Sequence, residues 1–99
     1  MLTINKTTDG PSLNVALEGR LDTSTSPQLE DELKNALNGV TSLVFDLAGL
    51  EYISSAGLRV LLSAQKLMNQ QGEMKLIHVN DVINEIFEVT GFTDILTIE

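Results

Sequence analysis

Residues 43–72, which read LVFDLAGLEYISSAGLRVLLSAQKLMNQQG, form the stretch that decides the fold. The first three, 43–45, are a continuous apolar run typical of a strand covered on both faces, and Asp46 closes this run. Residues 47–53 then carry the chain to four small residues at positions 54–57. The pattern indicates a buried strand that is connected to a helix through a turn of small side chains.

From Leu58 onward the apolar residues follow helical spacing. The polar residues fall at steps of four, three and four and so form one narrow stripe, consisting of Arg59, Ser63, Lys66 and Gln70. Apolar side chains occupy the rest of the circumference, so we expect a largely buried helix. The turn therefore lies between a buried strand and a buried helix, which is where α/β proteins place functional groups.

Two hydroxyl groups precede this helix, at Ser54 and Ser55. Either could be a simple N-cap, because a serine oxygen at this position accepts a hydrogen bond from a free backbone N–H of the first turn. A cap needs only one hydroxyl, however, and the following Ala56 and Gly57 do not screen the turn. The alternative is a phosphorylation site, since a phosphate here would face the free N–H groups at the positive end of the helix.

Two further residues bear on this alternative. A glycine in the first turn of a helix costs about 1 kcal/mol relative to alanine, so Gly57 suggests close approach by another group. Arg59 lies four residues after Ser55, on the same side of the helix, and could pair with a phosphate there. The spacing permits a phosphoserine switch.

The composition limits the function of the chain. Its 99 residues fit one domain, and 14 acidic against 6 basic residues give a formal charge of −8. Without a cluster of Lys and Arg the chain is not expected to bind nucleic acid, whereas an acidic surface suits a basic protein partner. There is no cysteine and one histidine, His78, so we expect no metal site, no cofactor and no catalytic residue.

The chain also lacks the sequence marks of a membrane or secreted protein. No apolar run approaches the roughly 18 residues that a membrane span needs. The N-terminus does not show the charged and then apolar layout of a signal peptide. We therefore expect no membrane insertion and a cytoplasmic location.

The remaining segments predict structure on both sides of the central unit. Alternation of apolar and polar residues and the turn and cap signals give the order β-β-α-β-α-β-α-β. The outer elements are a hairpin over residues 2–21 with its turn at 9–11, a helix from Pro27, a strand at 74–77, a helix capped by Asn80 or Asp81, and a final strand or tail at 94–98. This order predicts an α/β fold with a mixed sheet of four or five strands.

Asp22 and His78 are left with open roles. Asp22 follows a strand, where it could form an Asx turn or cap a helix, or else contact a partner. His78 ends a strand with no carboxylate and serine near it in sequence, which favours a structural role over a catalytic one.

The run from Asp46 to Leu62 resembles the signature of the STAS domain, which occurs in bacterial anti-sigma factor antagonists and in sulphate-transporter tails. Residues 19–22, Gly-Arg-Leu-Asp, resemble the Gly-x-Leu-Asp of that family, and residues 89–92, Val-Thr-Gly-Phe, resemble its segment after the third helix. The resemblance covers nearly the whole chain. It implies one STAS domain over residues 1–99, with the helices packed mainly on one face of the sheet.

The resemblance also implies a site. In the phospho-regulated antagonists the modified serine directly precedes a small residue and a Gly-Leu pair, which is the position of Ser55 here. Those antagonists often carry Asp before this serine, where this chain has Ser54, so Ser54 is the alternative site. The partner-binding residues that the family pattern implies are Asp22, Thr23, Ser54, Ser55, Ala56, Gly57 and Arg59.

The function that the resemblance implies is that of a binding switch and not of an enzyme. The unphosphorylated protein would bind an anti-sigma factor that is also a serine kinase, so that the sigma factor is freed for transcription. Phosphorylation of Ser55 would end the binding, and a PP2C-type phosphatase would restore it. The alternative is a STAS scaffold in a transporter or lipid-trafficking assembly, in which the serine turn contacts a partner without modification.

Overall fold

The computed structural model describes residues 1–99 and consists of one mixed sheet with three helices. The elements are β1 (Leu2–Asp9), β2 (Ser12–Leu21), α1 (Ser26–Ala36), β3 (Ser42–Ile53), α2 (Ser55–Gln71), β4 (Glu73–Ile77), α3 (Asp81–Thr90) and a short 3₁₀ helix (Phe92–Asp94). The strands lie in the order β1-β2-β3-β4, with β1 antiparallel to β2 and the other pairs parallel. The predicted α/β fold is confirmed.

The helices cover one face of the sheet. Along β2 the side chains alternate between buried and exposed or half-buried, with Val15 and Leu17 fully buried and Asn14 and Glu18 exposed. The buried side chains of sheet and helices form a single core cluster of 24 residues. The strand at 43–45 was expected to be covered on both faces, but Val44 is only half-buried because the second face of the sheet carries no helix.

The central strand is longer than predicted. Asp46 does not end β3, which runs on to Ile53, because β2 continues to pair with it through two register shifts. The shifts lie between Ala16 and Glu18 and between Gly19 and Arg20. Such irregularities leave the ladder in place but break the strict alternation by which a strand is recognised in a sequence.

The helix that follows β3 begins earlier than its apolar pattern. The prediction placed the helical pattern from Leu58, whereas α2 starts at Ser55 with Ser54 as its N-cap. The first turn is made of small residues, which carry no apolar periodicity. At the other end of the chain Asn80, and not Asp81, caps α3, because its Oδ1 atom accepts a hydrogen bond of 2.9 Å from the N–H of Ile83.

The last segment is a tail and not a fifth strand. It meets β4 at one isolated bridge, between Leu76 and Ile98, and two backbone hydrogen bonds of 2.9 Å join Leu76 to Thr97 and Glu99. The sheet therefore has four strands. No helix combines the length and the apolar character that crossing a membrane requires.

Candidate functional site

The two serines lie at the carboxyl ends of two parallel strands. Leu21, the last residue of β2, is the register partner of Ile53, the last residue of β3. The N–H of Ser54 donates a hydrogen bond of 2.9 Å to the carbonyl oxygen of Leu21. The loop that follows β2, which begins with Asp22, is thereby held beside the start of α2.

The two serines have different structural roles. Ser54 has an extended backbone, and its Oγ atom accepts a hydrogen bond of 3.3 Å from the N–H of Gly57, so it is the N-cap of α2. Ser55 is the first residue of the helix, its side chain is exposed, and its hydroxyl makes no hydrogen bond within the protein. The capping function therefore falls on Ser54 and leaves the hydroxyl of Ser55 free.

Gly57 is required by packing within the protein. It is buried, and a Cβ atom at this position would lie 2.7 Å from the Cγ atom of Leu21 and 2.9 Å from the Cγ1 atom of Ile53. The close approach that a glycine in the first turn suggested is thus made by the core residues beneath the helix. Gly57 fixes the distance between α2 and the strand ends.

Asp22 forms the Asx turn that was one of its two expected roles. Its Oδ1 atom accepts hydrogen bonds from the Ser24 hydroxyl at 2.8 Å, the Ser24 N–H at 3.0 Å and the Thr25 N–H at 3.1 Å. The hydrogen bond from the Ser24 hydroxyl is the main cause that lowers the pKa of Asp22; burial acts in the opposite direction, and the N–H bonds add to the lowering. The loop beside the serines is therefore preorganised around an ionised carboxylate.

Arg20 and Tyr52 add a feature that the sequence did not predict. They are register partners on β2 and β3, and the guanidinium carbon of Arg20 lies 4.4 Å from the centre of the Tyr52 ring. The Nε atom of Arg20 also lies 3.8 Å from Oδ2 of Asp22. The apolar run in the sequence ends at Asp46 and predicts Tyr52 in a connecting segment, where it has no cross-strand partner.

The remaining predicted residues lie around one groove between the N-terminal parts of α1 and α2. Thr23, Ala56 and Arg59 line this groove together with Ser26, Pro27, Glu30, Val60 and Ser63. Thr23, Ser55 and Arg59 are exposed, Asp22, Ser54 and Ala56 are half-buried, and Gly57 is buried. Arg59 forms no ion pair within the chain. The structure brings all seven predicted residues to one end of the sheet, and their role in binding stays a prediction.

His78 lies apart from this site. Its Nδ1 atom is 2.9 Å from Oδ1 of Asp46, and Asp46 pairs in register with Ile77, far from the end of β3. This hydrogen bond is the main cause that lowers the pKa of Asp46, and a hydrogen bond from the Ala48 N–H adds to it. His78 thus pairs with a carboxylate but not with a serine, and nowhere do three side chains of His, Asp or Glu come together as metal ligands would.

The fold and the site define the class of the protein as an α/β domain with an exposed serine at the start of a central helix. The chain belongs to the STAS domain family, whose model matches residues 3–99. It is 41% identical to BtrV of Bordetella bronchiseptica, a proposed anti-sigma factor antagonist, over 87% of this chain and 76% of that protein. It is 32% identical to the anti-sigma-B factor antagonist of Staphylococcus aureus, over 96% and 90% of the two chains.

Solved structures show the same fold. An anti-sigma factor antagonist from Mycobacterium paratuberculosis superposes with a TM-score of 0.89 at 19% identity, over 99% of this chain and 85% of that chain. The Bacillus cell fate determinant SpoIIAA in its phosphorylated form gives a TM-score of 0.77 at 16% identity, over 98% and 91%. An anti-sigma factor antagonist is a regulator, and the predicted absence of enzymatic activity agrees with the names of the relatives.

Proposed function

We propose that this chain is an anti-sigma factor antagonist that is controlled by phosphorylation of Ser55. The unphosphorylated domain, residues 1–99, binds an anti-sigma factor in the cytoplasm and so releases a sigma factor for transcription. One observation carries the choice of residue: the hydroxyl of Ser55 is exposed and free, whereas that of Ser54 accepts the capping hydrogen bond. A kinase can therefore reach Ser55 without breaking the start of α2.

The partner surface consists of the residues around this serine. Thr23 and Arg59 are exposed at the groove between α1 and α2, and Asp22 is held in its turn beside it. The names of the relatives, which are antagonists of anti-sigma factors, support this assignment of the partner. The anti-sigma factor in this proposal is also the serine kinase, and a PP2C-type phosphatase reverses the modification.

Electrostatics explains why a phosphate on Ser55 would release the partner. Phosphorylation adds about −1.5 to −2 charges at neutral pH. At the first position of α2 these charges are stabilised by the free N–H groups of the helix, so the fold tolerates them. Inside a packed interface the same charges must be desolvated, and Asp22 after the end of β2 adds repulsion. The switch therefore acts on the interface and not on the fold.

The test is phosphopeptide mapping after incubation with ATP and the candidate anti-sigma kinase. Wild type, Ser54→Ala and Ser55→Ala are compared, with the two alanine variants serving as controls for each other. We expect label in wild type and in Ser54→Ala and none in Ser55→Ala. Label lost only in Ser54→Ala would move the site by one residue. No label with any candidate kinase, together with stable binding to a transporter, would replace the switch with the STAS scaffold.

A further inference from the structure

Helix α3 carries an apolar strip of three residues, of which Ile86 packs against the core and the two valines do not. Val82 and Val89 are 59% and 80% exposed, and Ile86 between them is half-buried. Their spacing of four and three residues places the three side chains on one side of the helix. A different side of α3 packs into the core, where Ile83 and Phe87 are fully buried. The two exposed valines therefore belong to the surface of α3 and are not needed to pack the helix onto the sheet.

The strip continues onto the end of β3. Val82 lines a groove with residues 48–51 of β3, and it also lines a second groove with Ile86 and Val89. The side-chain Nδ2 of Asn80 donates a hydrogen bond of 2.9 Å to the carbonyl oxygen of Leu50, which ties the start of α3 to β3. We call the two joined grooves the α3 surface; its residues are 48–51, Asn80, Asp81, Val82, Glu85, Ile86, Val89 and Thr90. Because α3 is fixed to the strand, the surface is preformed.

The charges of the α3 surface are of one sign. It holds three carboxylates, those of Glu51, Asp81 and Glu85, and no Lys or Arg. None of the three carboxylates forms an ion pair within the chain, and Lys75, the last Lys or Arg in the sequence, pairs with Glu99. A second copy of this acidic chain would bring like charges together, and so would an anionic membrane. The complementary occupant is cationic.

We propose that the α3 surface is a second docking surface, which binds a protein segment whose apolar side chains are flanked by Lys or Arg. The apolar anchors of the segment cover Val82 and Val89, and its cations pair with the free carboxylates. The surface lies on the β4 side of β3, whereas the loop of Asp22 lies on the β2 side. Docking here requires no phosphorylation, so the proposal does not depend on the switch at Ser55.

The test measures the fluorescence anisotropy of a labelled peptide of Leu and Lys that forms an amphipathic helix, mixed with the intact chain at about 0.15 M salt. Two control peptides carry the same residues in scrambled order and Glu in place of Lys. We expect only the first peptide to bind, with amide NMR shifts concentrated on α3 and residues 48–51. Val82→Lys and Val89→Lys should each weaken its binding about tenfold or more.

The matched control variant is Leu67→Lys, which adds the same charge at an exposed apolar residue of α2. It should change the affinity by less than about twofold, as should Ser55→Asp. Circular dichroism checks that every variant is folded. Absence of binding, equal weakening by Leu67→Lys, equal binding of the scrambled or acidic peptide, or a dimer that Val89→Lys dissociates would each overturn the proposal.

Discussion

Leu21 and Gly57 are separated by less space than one methyl group requires. A Cβ atom on Gly57 would lie 2.7 Å from the Cγ atom of Leu21, which is fully buried at the end of β2. The start of the central helix thus rests directly on the strand that leads to Asp22. This contact couples the position of the serine turn to that of the neighbouring loop.

Gly57→Ala should destabilise the protein. Alanine gains up to about 1 kcal/mol of helix propensity, but overpacking a buried site costs about 1–3 kcal/mol. We expect a net loss of about 1–2 kcal/mol in the free energy of unfolding, measured with urea. The matched control is Gly49→Ala, whose Cβ would also lie 2.7 Å from a side-chain atom, the Cγ of Glu18. Glu18 is exposed and can move away, so equal losses in the two variants would contradict this account.

The two serines should differ in their contribution to stability. Ser54→Ala removes the N-cap of α2 and should lower the free energy of unfolding by about 1 kcal/mol. Ser55→Ala removes an exposed hydroxyl without a hydrogen bond and should change it by less than about 0.5 kcal/mol. Urea unfolding of both variants measures the difference. A larger loss in Ser55→Ala would show that the capping hydroxyl belongs to Ser55.

A negative charge at residue 55 should weaken partner binding without lowering the stability of the fold. In Ser55→Asp the carboxylate lies at the start of α2, where it should leave the fold as stable as wild type or raise its stability by about 0.3–1 kcal/mol. Affinity for the anti-sigma factor should nevertheless fall about tenfold or more. The control is Ser55→Asn, which has nearly the same shape without the charge. Equal loss of affinity in the asparagine variant would assign the effect to shape.

The pair of Asp46 and His78 should make stability depend on pH in the acid range. The hydrogen bond from His78 holds the pKa of Asp46 below its ordinary value of 3.8, so the folded state binds protons less readily than the unfolded chain. The resulting stabilisation is complete above the unfolded pKa and is lost as the pH falls through the folded pKa.

His78→Gly removes the imidazole and suits the positive φ of 57° at this position. Carboxyl NMR titration should then show a higher pKa for Asp46, while Asp22, which has its own hydrogen-bond donors, keeps its low pKa. The acid dependence of stability below about pH 4 should become shallower. An Asp46 pKa that does not move would assign the shift to the Ala48 N–H alone.

Local patterns predicted the elements whose contacts are regular. The alternation along β2 and the cap signal before α3 gave the strand and the helix that the structure shows. The sequence pattern does not predict that β3 extends beyond Asp46. The register shifts arise from the pairing of β2 with β3 and cannot be recognised in the sequence of either strand alone.

Contacts between distant residues were beyond the reach of such patterns. The pairing of Arg20 with Tyr52 depends on the register of β2 and β3, and Asp46 and His78 are 32 residues apart. Glycine is unusual in a first helical turn, so the sequence alone indicates a close approach at Gly57. The side chains that approach Gly57 are identified only by the folded structure, in which the end of β2 lies beneath α2.

The C-terminal tail covers the edge of β4 at one residue, whereas the edge of β1 is open along its length. Thr97 and Glu99 bond to Leu76 on the β4 side, while β1 pairs only with β2 and presents its other edge to solvent. An exposed strand edge is a template for further pairing. The sheet would therefore accept a further strand along the length of β1, which is the longer of its two open edges.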